Sequence, residues 1–329
     1  MVDARTIHFP AGFVQLCKRA SRAALVLAFF AASTIAMAQQ PNEGAFYSEI
    51  ASGVYAHHGI VAETDPDNQG DIANLGFIVG EEAVAVIDTS GSVAVGERAL
   101  AAIRDITDKP IGYVINTHMH PDHVFGNQVF AESGATVLGH EKLGAAIAAR
   151  ADSYKTSMAE QLGAEEIERL TIIGPDEGVA IGEPRTIDLG HREIVLTAWK
   201  TAHTDNDLTV WDKKTKTLFT GDLVFMDHIP VVDGSIRGWM EQTPDLQKIE
   251  ADHVIPGHGP LDASWPEAME HQTVYLEALA KDVREAIANG DRLQETAETA
   301  AREEAETFEL SEGFRRRNAT AAFAELEWE

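Results

Sequence analysis

Cysteine is almost missing from this chain of 329 residues: Cys17 is the only one. A lone thiol excludes an internal disulfide framework and any site built from several thiolates. Basic residues are scarce too, 26 against 53 acidic, giving a net charge of −27. Such a surface repels nucleic acid and anionic membranes, so neither is expected as a partner. Long apolar runs are also few. Ala23 to Ala36 is the one extended stretch, short of the ~20 residues that a membrane-spanning helix needs. Lys18, Arg19 and Arg22 precede it and Ala36-Met37-Ala38 follows it, the pattern of an export signal spanning residues 1–38, cleaved before Gln39. Cys17 would leave with that leader. The net charge would become −30, because Arg5, Lys18, Arg19 and Arg22 depart with only Asp3. An exported protein without disulfides must rest on its core and on bound metal. No low-complexity linker interrupts residues 39–329, so one domain is expected there, with no membrane attachment once the signal is removed. The Glu/Ala-rich stretches near the C-terminus read as solvated helix faces rather than as a docking surface for a basic, cytochrome-like protein.

What the chain does have is histidine in a telling arrangement. His118-Met119-His120-Pro121-Asp122-His123 places three imidazoles and a carboxylate within six residues. Neutral imidazole and carboxylate are the usual protein ligands for zinc and non-haem iron. His118 and His120, two apart, share one side of an extended backbone. Pro121 then bends the chain and re-aims Asp122 and His123. One segment can thus address two points in space. His203 in Thr201-Ala202-His203, Asp222 in Thr220-Gly221-Asp222 and His258 in Pro256-Gly257-His258 lie at glycine turns or after short apolar runs, where strands give way to loops. The seven divide into His118, His120 and His203 for one metal and Asp122, His123 and His258 for another, with Asp222 bridging. Two divalent ions about 3.5–4 Å apart can hold a nucleophilic hydroxide between them and clamp attacking and leaving oxygens. Asp122 is the expected proton shuttle.

Strand patterns fall at 53–56, 75–79, 83–87, 111–117, 135–138, 193–199, 208–211, 217–219 and 253–255. Helical spacing falls around Leu100-Ile103-Ile106, over 141–162, and at Leu276, Leu279, Val283 and Ile287, ending at Asn289-Gly290. Residues 291–329 read as a helical extension.

The order of these motifs, from Asp88 after an early strand through the histidine block to His203, Asp222 and His258, resembles the metallo-β-lactamase superfamily over roughly residues 50–260. Asp222 in Thr-Gly-Asp is similar to the glyoxalase II type of site. The segments His118–Asn127, Asp222–Phe225, Asp233–Trp239 and Arg317–Glu329 resemble most the quinoprotein relay system zinc metallohydrolases. The resemblance implies an α/β fold, the four-layer αβ/βα sandwich, with its core at about 50–260 and C-terminal helices at about 265–329. It implies a periplasmic location, two zinc ions, and a link to a quinoprotein or cytochrome. The expected activity is metal-dependent hydrolysis of an ester, thioester, lactone or amide in a small molecule. Two other enzymatic readings stay open: a sulfur dioxygenase with one iron on His118, His203 and Asp222, and a β-lactamase. A non-catalytic metal-binding accessory role is a third. Asp88 is expected to orient a ligating histidine. His228 and Arg237 are candidates for contact with substrate on a loop that also carries Trp239, and loops after residues 60, 155 and 225 are expected to shape the pocket. Asn74 and Asn127 are weaker candidates for supporting the ligands.

Overall fold

The computed structural model describes residues 45–329. The expected leader, Met1–Ala38, and Cys17 lie outside these residues. Two sheets stand face to face. The first runs in the order β1 (Ser48–Ala51), β2 (Val54–His57), β3 (Leu75–Val79), β4 (Val84–Ile87), β5 (Ile111–Ile115), β6 (Thr136–His140) and β7 (Glu177–Val179). It is antiparallel up to β4 and parallel from there on. The second holds β8 (Arg185–Asp188), β9 (Glu193–Ala198), β10 (Leu208–Asp212), β11 (Thr217–Phe225) and β12 (His253–His258), adjacent in sequence order, with only the β11–β12 pair parallel.

Alternation along the strands makes the layers. Ala85 and Ile87 of β4 face the second sheet, where Ile194 and Leu196 of β9 and Phe219 of β11 meet them. Val84 and Val86 point the opposite way, against Ala99 and Ile103 of α1 (Val93–Ile106), while α2 (Pro121–Val124) packs Val124 with Val93 of α1 and α3 (Asn127–Ala131) adds Phe130 to the Val84 cluster. Helices α4 (Leu143–Leu162) and α5 (Ala164–Arg169) extend that outer layer. On the far side, α6 (Ile236–Leu246), α7 (Glu270–Asn289), α8 (Leu293–Thr299), α9 (Arg302–Ala305) and α10 (Ser311–Leu326) cover Leu223 and Phe225 of β11. The result is the four-layer αβ/βα sandwich with C-terminal helices. Among the described residues, no helix is long and apolar enough to cross a membrane.

Helix α7 follows the predicted spacing: Leu276, Leu279 and Val283 are buried, and Gly290 closes it in the left-handed region at φ 77°. Other elements depart from expectation. β11 runs on to Phe225 and β12 to His258, so Asp222 and His258 lie within strands and not after them. β11 is buried along its whole length, so no polar alternation marks its end. The loop expected with Arg237 and Trp239 is helix α6, capped by Ser235 Oγ, which accepts from Gly238 N–H. The loop expected after 155 is the second half of α4. Short β1, β7 and β8, largely exposed, escape the sequence patterns.

Arg192, in the β8–β9 hairpin, ties the two sheets together. Its Nε and Nη2 donate to Asp212 on β10 at 2.9 and 2.8 Å, and its Nη1 donates to Ser52 O and Val79 O of the first sheet, both at 3.0 Å. Burial alone would raise the Asp212 carboxyl, but Arg192 and Thr215 hold it below its ordinary value of 3.8. The pair's contribution is complete above that value and is lost as pH falls through the lower folded one. Arg192→Met, which leaves Asp212 buried and unpaired, is expected to cost about 3–5 kcal/mol in denaturant unfolding at neutral pH, with a smaller deficit in acid.

Candidate metal centre

The seven expected ligands converge. His118 and His120 sit on the loop after β5, and Pro121 begins α2, which turns Asp122 and His123 towards a second point. His203 comes from the loop between β9 and β10, Asp222 from the middle of β11, and His258 from the end of β12. Their donor atoms form two groups, His118, His120, His203 and Asp222, and Asp122, His123 and His258.

Outer hydrogen bonds fix which nitrogen of each ring faces inward. His123 Nδ1–H donates to Asp88 Oδ2 at 2.8 Å, His203 Nδ1–H to Val231 O at 2.6 Å, and His258 Nδ1–H to Ile72 O at 2.9 Å. His120 uses the other nitrogen: Nε2–H donates to Asp233 Oδ2 at 3.0 Å. Thr117 Oγ1 gives its proton to Asp88 Oδ2 at 2.7 Å and so accepts from His118 Nδ1–H at 3.1 Å. A neutral ring has one N–H, and each spends it outside, so in the neutral rings the inner nitrogens carry lone pairs. His120 Nδ1 lies 3.0 Å from both His118 Nε2 and His203 Nε2. Facing lone pairs repel, and a shared cation removes that repulsion.

Asp222 stands between the groups. Its Oδ2 is 3.6 Å from His118, 3.4 Å from His203 and 3.4 Å from His258, while Oδ1 is 3.2 Å from His123. Asp122 Oδ2 completes the second group, 3.5 Å from His123 Nε2 and 3.4 Å from His258 Nε2. His123 Nε2 and Asp222 Oδ1 are buried without any hydrogen-bond partner. Orphaned polar atoms of this kind, within a set of imidazoles and carboxylates, fit a metal site. Backbone shape makes room for the carboxylate. Gly221 takes φ 52° and breaks the β11–β12 register, and a Cβ on Gly257 would lie 1.9 Å from Asp222 Oδ1. Burial opposes charge on Asp222, yet His258, His123 and His118 hold its carboxyl well below the ordinary range. Burial likewise opposes charge on His258, but Asp222 and Asp122 push its pKa up to about 9. A proton there does what a cation would do.

Asp88, at φ 56°, accepts from His123 and also takes Thr117 N–H at Oδ1, 2.8 Å away. Asn74 donates to Pro256 O and Gly259 O around His258, and Asn127 is bonded to Asn116, which holds His123 O. His228 reaches the cleft wall, its ring 5.1 Å from that of His258. Arg237 does not. It is over half exposed on α6, pairs with Glu241 at 3.6 Å and lines a separate cavity, because the apolar face of α6 turns Ile236 and Trp239 to the core. The metal cluster instead opens into a cleft of about 460 Å³ whose walls include Arg150, Tyr154 and Met158 of α4, and Phe314 and Arg317 of α10. Arg150 donates to Asp233 Oδ2 at 2.7 Å, behind His120. Sequence reasoning assigned no role to any of these. The spacing of Arg150, Tyr154, Met158 and Gln161 along one helix face was the available signal.

Asp88→Asn retains the side chain's size and its tolerance of positive φ but sets an amide group among donors. Metal affinity is expected to fall roughly 10–100-fold, as read by chelator competition, with the fold retained by circular dichroism.

Comparison with known proteins agrees with this geometry. Residues 69–284 match the family model described as the metallo-beta-lactamase superfamily. A Caenorhabditis elegans protein named beta-lactamase-like protein 2 homolog is 23% identical over 213 residues, covering 64% of this chain and 63% of its own length. The chain therefore spans less than two thirds of that relative. The solved metallo-beta-lactamase from Pontibacter korlensis superposes with a TM-score of 0.54 at 20% identity, over 70% of this chain and 98% of that one. The sec-alkylsulfatase Pisa1 from Pseudomonas sp. gives 0.65 at 19% identity, over 86% of this chain and 50% of that one. With two thirds of its length matched by the family model and its ligand candidates gathered at one cleft, the chain belongs to the metallo-beta-lactamase superfamily.

Proposed function

We propose that this protein is an exported, periplasmic dinuclear zinc hydrolase that cleaves an ester, thioester, lactone or amide in a small molecule. The observation that carries the reading is the set of five imidazoles whose lone pairs converge on one shared carboxylate, Asp222. His118, His120, His203 and Asp222 would hold one ion, and Asp122, His123, His258 and Asp222 the other. Bound there, the ions would acidify water and polarise a substrate oxygen. The chain supplies the rest. Asp122 Oδ2 faces His123 and His258, leaving Oδ1 to take the proton of the attacking water. Tyr154 offers a hydroxyl that is buried without a partner. Burial, against the lowering effect of Arg150, pushes its pKa up to about 12, so it stays protonated and can donate to a substrate oxygen. Met158, Ile72 and Phe225 line the cleft beside these groups and keep it partly dry.

The wider coverage of this chain by the sulfatase structure than by the lactamase supports a second reading, cleavage of a sulfate ester. Residence beside a quinoprotein dehydrogenase or its cytochrome is proposed from the resemblance of the His118–Asn127, Asp222–Phe225, Asp233–Trp239 and Arg317–Glu329 segments alone.

Elemental mass spectrometry of the purified protein is expected to find two zinc per chain, falling to one or none in Asp222→Ala, together with turnover in a screen of esters, thioesters and lactones. One iron per chain and oxygen consumption with persulfide would replace this reading with the dioxygenase.

A further inference from the structure

The C-terminal helix α10 does more than cover β11. Residues 306–310 dock on the loop after β11: Glu309 N–H donates to Asp227 O at 2.7 Å, and Ile229 N–H donates to Glu309 O at 3.1 Å. Asn318 then pins α10 to the same loop, donating to Pro230 O at 2.6 Å and accepting Val232 N–H at 2.9 Å. Glu325 accepts from Ser235 Oγ and Ile236 N–H at 2.6 and 2.8 Å. The helix that carries Phe314 and Arg317 is thus fixed to the loop that carries His228 and Val231, both of which line the cleft.

Arg317 is the unusual member of an arginine triplet. Arg315 Nη1 donates to Ala297 O and Glu298 O, both at 3.0 Å, and Arg316 pairs with Glu298 at 2.9 Å. Among the described residues Arg317 makes no ion pair within 4.0 Å, in a chain with twice as many acids as bases. Its guanidinium lies 5.3 Å from the Phe314 ring centre, and Phe314 packs 5.1 Å from the His228 ring. A cation held over an aromatic face keeps its donors free for another acceptor. The carboxylates facing the same cleft are otherwise engaged or peripheral. Asp122 and Asp222 belong to the cation sites, Asp233 is paired with Arg150, and Glu63 is exposed at the rim. Two divalent cations would more than offset Asp122 and Asp222, leaving a positive cleft in an acidic protein.

We infer that the substrate is anionic, and that Arg317 and Phe314 are its specificity-determining pair: the guanidinium takes a carboxylate or sulfate group and the ring takes the adjoining apolar chain. Both residues lie beyond residue 284, where the match to the superfamily model ends, so the matched region does not include this wall. The inference rests on the hydrolase reading above.

Two acyl esters with one leaving group and one chain length test it in the metal-loaded full chain: para-nitrophenyl hexanoate and para-nitrophenyl monoadipate, which adds a terminal carboxylate. The protein should favour the monoadipate. Arg317→Gln should raise its KM about tenfold with little change in kcat, and Arg317→Lys should keep part of the preference. Para-nitrophenyl sulfate forms the third arm. The same KM response there, in place of the monoadipate, assigns the anion to a sulfate monoester. Equal KM for all three substrates, or a preference that survives Arg317→Gln, overturns the inference while the hydrolase reading stands. If the hydrolase screen finds no turnover, calorimetry with monomethyl adipate decides separately. Binding lost in Arg317→Gln upholds the anion site, and equal heats overturn it.

Discussion

Each imidazole around Asp222 has only one N–H to give, and each gives it outward, to Asp88, Thr117, Asp233, Val231 O or Ile72 O. That single constraint orders much of the molecule. The carbonyl acceptors belong to the loops at 58–73 and 226–235, so those loops must be placed before the rings can point inward. Asp88 must accept three donors at once, which holds it in a left-handed backbone conformation. Gly221 and Gly257 must lack side chains, because the volume a Cβ would need is filled by Thr117 and by the Asp222 carboxylate. The interior polar cluster is costly without a cation, and the two sheets with their outer helices supply the rigid frame that maintains it.

The frame is itself fastened across its midline. Arg192 reaches from one sheet to two carbonyls of the other, and Asn74 on the first sheet holds the turn that bears His258 on the second. Ligands on β11 and β12 therefore keep their distance from ligands on the β5–α2 loop, although the two sets come from opposite halves of the chain. The C-terminal helices close the cleft on one side and give it its unpaired positive charge.

The candidate metal ligands were legible in the sequence because such chemistry restricts residue type and, in the histidine block, spacing. Asp88 was legible for the same reason, as an acceptor at a strand end. Asp233, Arg150, Tyr154 and Arg317 were not. They reach the cleft through helix and loop geometry that leaves no residue-type requirement nearby. Arg237 illustrates the converse. Its neighbours resemble a family segment, but Ser235 caps a helix whose apolar stripe is Ile236, Trp239 and Leu246, and that stripe sends Arg237 to solvent. The strands of the core were legible from alternation and apolar runs. Their ends were less so where burial on both faces, as in β11, erases the polar positions that mark a boundary.

The histidine block also has a meaning for the order of assembly. Three imidazoles and a carboxylate lie within six residues, so a disordered chain already carries a loose chelate at that point. His203 and His258 are 80 and 135 residues from His123, and bringing them in means closing long loops and completing the second sheet. An ion could therefore be captured locally and early, then locked in place only when the far strands arrive. The metal would act as a local cross-link that draws the two halves of the sandwich together.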